Sequence, residues 1–250
     1  MSKVVFLGGM KGLGLEMAIL AERRQDAVTV TRSSSRRRPS VLLADQIECN
    51  LDLRADFDAY LAAPAGTPAG PWDAIADAIA ACDTFVWVAG IWLRHPFHVS
   101  EWYDKAEVLT VQFAAPAQIL HAALRKRLSV PDPKPIHIVV ISSSSAWKVR
   151  GDGQAMYGAA QAAKAQFARN LCAELQTSLP GSMVTLACPG GMRTDLFYGE
   201  VDTTNFMDPA AVAAQIWTAT DLPHENGLLE MHLSGTGDDI QVAYGPKLPA

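Results

Sequence analysis

With 250 residues, 49% of them hydrophobic and 19% charged, the chain fits one globular domain with a sizeable core. A net charge of -5 gives no reason to expect a polyanion partner, and no apolar stretch approaches membrane-spanning length. Cys49, Cys82, Cys172 and Cys188 lie far apart without metal-ligand spacing, and Ser2 and Lys3 lead into a strand with no leader-peptide pattern, so a reduced, cytoplasmic, metal-free protein is expected.

Val4-Val5-Phe6-Leu7 reads as a short buried strand, and residues 15–24 have helical spacing of apolar positions. Between them stands Gly8-Gly9-Met10-Lys11-Gly12-Leu13-Gly14. Such a turn lets backbone amides approach a diphosphate, and the helix N-terminus adds positive partial charge. Residues 27–31 form a second strand that ends at Arg32, before Ser33-Ser34-Ser35-Arg36-Arg37-Arg38. A fold preferring NAD places an acid here to accept from the adenosine ribose. This chain offers Arg32 and Ser33 instead, with Lys11 in the glycine loop, a set that suits a ribose 2′-phosphate and hence NADP(H). Residues 36–38 read as a solvated run, and with the acidic balance no nucleic-acid partner is expected.

A third strand, 47–51, runs into Asp52-Leu53, where the carboxylate can accept from an adenine amino group or cap the next turn. Helical segments at 56–62 and 72–81 flank a Pro/Gly-rich break, an ornamented crossover within a single domain spanning 1–250. Residues 84–88 give a fourth strand ending in Ala89-Gly90, followed by a loop with Trp92, His95, Phe97 and His98. A helix over 101–128, a fifth strand over 136–141 and the run Ser142-Ser143-Ser144-Ser145 come next. A long helix over 154–179 carries Tyr157, Gln161 and Lys164. A sixth strand, 183–188, ends in Pro189-Gly190-Gly191-Met192-Arg193-Thr194, and a seventh covers 228–233. This alternation predicts an α/β fold: a single Rossmann-like doubly wound parallel sheet of about seven strands with helices on both faces.

Taken in order, these segments resemble the short-chain dehydrogenase/reductase family over essentially the whole chain. Gly8, Gly12 and Gly14 match its Gly-x-x-x-Gly-x-Gly loop, and Ala89-Gly90 match the second half of its Asn-Asn-Ala-Gly segment. Ile141-Ser142-Ser143 match the strand end carrying the family's catalytic serine, and Pro189-Gly190 with Thr194 match the segment touching the nicotinamide. The resemblance implies Tyr157 as the catalytic tyrosine. The family's lysine position holds Gln161, however, and its asparagine position holds Gln112. The spacing from Ser143 to Tyr157 is one residue longer than usual, which leaves Ser144 as a second candidate for the working hydroxyl.

In the family the lysine ammonium lowers the phenol pKa from about 10 and holds the nicotinamide ribose. Glutamine keeps the hydrogen bond and brings no charge. Alcohol oxidation needs phenolate, which becomes rarer, whereas carbonyl reduction needs the neutral phenol, which stays abundant. The expected activity is therefore slow NADPH-linked ketone reduction. The alternative is an NADP-holding protein without net redox chemistry, such as an isomerase, a cofactor sensor or an assembly partner.

Lys164 lies about 4.5 Å further along the helix than Gln161 and reads as a surface or subunit-contact lysine in preference to a relocated catalytic one. His95 and His98 read as structural or solvated. Trp92, Trp147, Met156, Phe197, Tyr198 and Phe206 are expected to rim a pocket for an apolar or aromatic small molecule, under a lid near 192–207. The family resemblance also implies a homodimer or homotetramer.

Overall fold

The computed structural model describes residues 1–32, 47–63, 70–99, 101–197 and 199–246, with the backbone alone at 32 and 47–50. β1 (Lys3–Leu7) shows how the sheet is built. Its side chains alternate, so Val5 and Leu7 pack into one apolar cluster and Val4 and Phe6 into the other. α1 (Gly12–Arg23), β2 (Ala27–Arg32), β3 (Ile47–Asn50), α2 (Ala55–Ala62), α3 (Pro71–Ala80) and β4 (Thr84–Trp87) complete the first half. The second half contains α4 (Trp102–Leu109), α5 (Ala115–Leu128), β5 (His137–Ile141), α6 (Ala155–Ser178), β6 (Met183–Pro189), α7 (Pro209–Thr220), β7 (Leu228–Thr236) and β8 (Asp239–Tyr244).

The strands lie in the order β3-β2-β1-β4-β5-β6-β7-β8. The first seven are parallel, as the alternation of elements predicts, and β8 adds an antiparallel edge. Residues from α3, α5 and α6 cover one face, and residues from α1 and α7 cover the other. Strand order reverses between β1 and β4, and a crevice outside the carboxyl ends at such a switch point is where open α/β sheets bind ligands.

The helix predicted over 101–128 is one run interrupted by a π turn, Thr110–Ala114. Pro116 supplies the cause: it has no N–H to donate to Gln112, and its ring would press on that carbonyl in a regular helix. At the other end of the sheet the buried guanidinium of Arg127 is satisfied by the carbonyls of Ala80, Cys82, Lys134 and Pro135, which ties α3 and the starts of β4 and β5 together. Among the described residues no helix is long and apolar enough to cross a membrane.

Candidate active site

The first turn is shaped by close backbone approach. Gly8 has φ +89°, and a Cβ there would sit 2.7 Å from the Ala89 Cα, so the ends of β1 and β4 meet with no room for a side chain. The Gly8 N–H donates to Thr31 Oγ1 at 2.8 Å, a support that the sequence reading did not single out. Gly12 faces Thr194 across the cleft, with room for little more than hydrogen, and a Cβ on Gly14 would collide with the Gly8 carbonyl oxygen. Leu13 is buried in the core, so only its backbone is available to a ligand, while Lys11 is exposed at the N-cap of α1. That helix begins with no side-chain cap and no acid in its first turn. Uncapped N–H groups at a helix start suit an anion.

On the adenosine side Arg32 pairs with Asn50 in register, and its side chain, like all of Ser33 and residues 36–38, lies outside the described residues. Asp52 Oδ1 accepts from the backbone N–H of Arg54 and of Ala55, both at 3.0 Å, so of its two predicted roles the turn-capping one is present. Leu53 packs partly buried against the core beside it.

At the other end of the cleft, β5 delivers the four serines. Ser142 is on the cavity lining, and its hydroxyl donates to the Gln161 carbonyl at 3.0 Å. Ser143 Oγ accepts from the Ser145 N–H at 3.1 Å, which leaves its own hydrogen free. Tyr157 is buried, and burial raises its phenol pKa, while hydrogen bonds from Ser143 and Gln161 pull it down. A bond that lowers a phenol pKa is one donated to its oxygen. Gln161 stands beside the hydroxyl, and its buried Oε1 has no partner among the described residues. Of the two candidate serines, Ser143 is the one that meets the phenol; Ser144 Oγ instead lies 3.5 Å from Arg150 Nη2.

Lys164 corrects the sequence reading. It is 1% exposed, with Nζ 3.1 Å from the Ile141 carbonyl, 3.4 Å from the Ala89 carbonyl and 3.4 Å from Gln112 Oε1. The ammonium also sits 5.1 Å over the Trp87 ring. The long side chain runs under the sheet's carboxyl edge instead of out to solvent. Gln112 completes the tie by donating to the Ile91 carbonyl. Lys164 does not line the cavity and is not among the groups acting on the phenol, so it holds the two strand ends beside the site without touching Tyr157.

A cavity of about 380 Å³ opens above Ser143 and Tyr157. Trp92, Phe197 and Phe206 form its aromatic wall, with ring centroids 5.1 and 5.5 Å apart, and Pro189, Gly190 and Thr194 also line it. Trp147 and Met156 are not on the lining, contrary to expectation; Trp147 packs edge-on against His232 at 4.3 Å. Tyr198 lies outside the described residues. His95 and His98 are exposed and off the cavity wall. Arg94, Arg150 and Asp152 do line it, although the sequence reading did not pick them out. For Arg150 and Asp152 the only signal was the lengthened segment between Ser143 and Tyr157, and for Arg94 there was none.

A second polar cluster is buried nearby. Cys188 of β6 stands opposite His232 of β7, and with Glu230 their donor atoms lie within 4.8 Å of one another. The carboxylate is already engaged: Arg169 reaches its two oxygens at 2.7 and 2.9 Å, and His232 Nε2 lies at 3.0 Å. Burial pushes the Glu230 carboxyl up, but these bonds outweigh it and hold it down at about 2. Adding a dication beside that guanidinium would set two positive centres on one carboxylate, so the cluster reads as a structural ion pair.

The glycine cradle at the head of α1 and the unpartnered Gln161 acceptor fit a nucleotide cofactor laid across the switch point, diphosphate on the first turn and ribose on Gln161. No curated protein matches the sequence significantly. Similar solved structures include a dehydrogenase/reductase from Sinorhizobium meliloti 1021, 22% identical over 92% of this chain and 93% of that one, with a TM-score of 0.70. A short-chain dehydrogenase from Streptomyces avermitilis is 22% identical over 94% and 89%, with a TM-score of 0.71. A short chain dehydrogenase from Burkholderia cenocepacia J2315, in complex with NADP, is 14% identical over 94% and 88%, with a TM-score of 0.74. Residues 2–204 match the family described as short chain dehydrogenase, and the chain belongs to that family.

Proposed function

We propose that this chain is an NADPH-dependent reductase of small apolar or aromatic ketones, with Tyr157 as the acid. The observation that carries the reading is a buried phenol, raised in pKa by burial and hydrogen-bonded to Ser143, at the base of an aromatic-walled cavity. When bound, NADPH supplies a hydride, two electrons and one hydrogen, to the carbonyl carbon. Tyr157 gives its proton to the carbonyl oxygen, which yields the alcohol, and the phenolate then takes a proton from water. Ser143 donates to the same oxygen and orients it. Gln161 Oε1 accepts from a ribose hydroxyl, and the N–H groups at the start of α1 take the diphosphate. Lys11 and Arg32 favour the 2′-phosphate, in keeping with the NADP complex of the Burkholderia cenocepacia protein. Residues 192–207 carry Phe197 and Phe206 over the cavity and would serve as its lid.

The test is NADPH oxidation with a panel of ketones, with the alcohol product identified. Tyr157→Phe should lower turnover by roughly 10²–10⁴-fold. A second reading rests on Gln161 and Lys164: the one leaves the phenol without a cation, and the other is locked behind the site. A nucleotide-holding protein would bind NADPH tightly, oxidise none of it, and be indifferent to Tyr157→Phe.

A further inference from the structure

We infer that Arg150 makes this an anion-recognising cavity, and that the substrate is an oxo acid whose carboxylate lies a few bonds from the reacting carbonyl. This rests on the reading of Tyr157 and Ser143 as the reacting end. Among the described residues three charged side chains line the cavity: Arg94, Asp152 and Arg150. Arg94 and Asp152 neutralise one another, with Arg94 Nε 3.6 Å from Asp152 Oδ2 and 3.3 Å from the Asp152 carbonyl. Arg150 has no carboxylate partner among the described residues. Its one hydrogen bond there is the long contact from Nη2 to Ser144 Oγ at 3.5 Å. One positive charge is therefore left uncompensated, on the residue that touches the immediate neighbour of Ser143.

The guanidinium is presented by a clasped loop. The His95 N–H donates to the Gly153 carbonyl at 3.0 Å, and a Cβ on Gly153 would lie 2.8 Å from the His95 carbonyl carbon. Gln154 Nε2 holds the Asp152 carboxylate at 2.9 and 3.1 Å. A planar fork with most of its donors free matches a carboxylate in a bidentate way. The apolar body of such a substrate would lie against Trp92, Phe197 and Phe206, with the part of the cavity at Pro189, Gly190 and Thr194 left to the nicotinamide.

The experiment compares benzoylformate with its methyl ester as substrates for the full chain with NADPH. The acid should be preferred about tenfold or more in kcat/KM, through KM, and the preference should shrink as salt rises. Arg150→Gln should bring the acid-to-ester ratio close to one, and Arg150→Lys should restore part of it. Equal use of acid and ester by the wild type, or an unchanged ratio in Arg150→Gln, overturns the inference even where ketones are reduced. Calorimetric binding of phenylacetate in the presence of NADPH separates the two readings. Binding that depends on Arg150 with no turnover of any ketone upholds the anion site and sinks the reductase. Binding that ignores Arg150 sinks the anion site whatever the turnover.

Discussion

Lys164 Nζ lies 3.4 Å from Gln112 Oε1, a contact between the middle of α6 and a π turn, and both partners depart from what the family resemblance implies for this region. The longer amide at 112 reaches further than an asparagine would, and the lysine one turn further along α6 reaches back to meet it. Its other acceptors, the carbonyls of Ala89 and Ile141, are the last backbone groups before Gly90 and Ser142. The tie thus fixes the two loops that flank the reacting end.

Burial pulls the Lys164 ammonium down to about 7 from 10.5. Between those values the unfolded chain binds a proton that the folded chain lacks, so this group makes stability rise with pH across the window and adds no further slope below about 7. Lys164→Met should remove that rise. Urea unfolding at pH 7, 8 and 9 reads it as the wild-type-minus-variant difference, in which the thiols, ionising at about 8.5 in the unfolded chain, cancel. A difference that stays flat from pH 7 to 9 would show that the ammonium keeps its proton in the fold.

Gln161→Lys puts a cation where the phenol has none. An opposite charge within a few ångströms lowers a phenol pKa by roughly 1–3 units, against the rise that burial imposes on Tyr157. Wild-type ketone reduction should hold steady as pH rises to about 10, because the acid form persists. In the variant that plateau should end at a lower pH, and alcohol oxidation at pH 7 should gain roughly tenfold or more, well beyond any gain in reduction. Equal gains in both directions would remove the directional argument.

What the sequence made legible was local. Strand runs, the glycine turn and the Pro189-Gly190…Thr194 segment are contiguous patterns, and each sits where its pattern predicts. Helical spacing also put Tyr157, Gln161 and Lys164 on one face. It could not say whether the Lys164 side chain would run to solvent or under the sheet, because its acceptors come from residues 89, 112 and 141. The same holds for Cys188 against Glu230 and His232, where period-two alternation puts the last two on one face of β7 but the register with β6 is a tertiary fact. β8 escaped notice because residues 239–244 carry only a thin apolar alternation, as befits an exposed edge strand. Arg150 escaped because an exposed arginine in a polar loop reads as solvated, and its place on the cavity lining beside Ser144 is a tertiary fact.

Gly8→Ala should destabilise through two separable effects. The left-handed φ is strained for any side chain, and the new Cβ would meet the Ala89 backbone at 2.7 Å. Together these should cost about 2–4 kcal/mol, a fall in Tm of roughly 5–10 °C for a chain of this size. Gly70→Ala is the matched comparison, since Gly70 has φ +57° with nothing within 4 Å of an added Cβ. It should show the strain alone and a smaller fall. Equal falls in the two variants would mean that β1 and β4 can part without cost.

Arg169→Met tests the buried pair behind β6 and β7. Glu230 is 4% exposed, and the variant leaves its carboxylate with the His232 ring in place of a permanent cation. Because Arg169 keeps 28% of its side chain in solvent, the loss should fall near the low end for a broken buried pair, about 3 kcal/mol at pH 7. The sign with pH follows from the depressed carboxyl, held at about 2 in the fold against 4.5. Its stabilisation is complete above about 4.5 and disappears as pH falls toward 2. Wild type should therefore lose stability steeply over that interval, and Arg169→Met, whose carboxyl is less depressed, should lose less, so the two unfolding curves converge in acid. Curves that stay parallel from pH 7 to 3 would place the effect of Arg169 in packing of its aliphatic stem rather than in its charge.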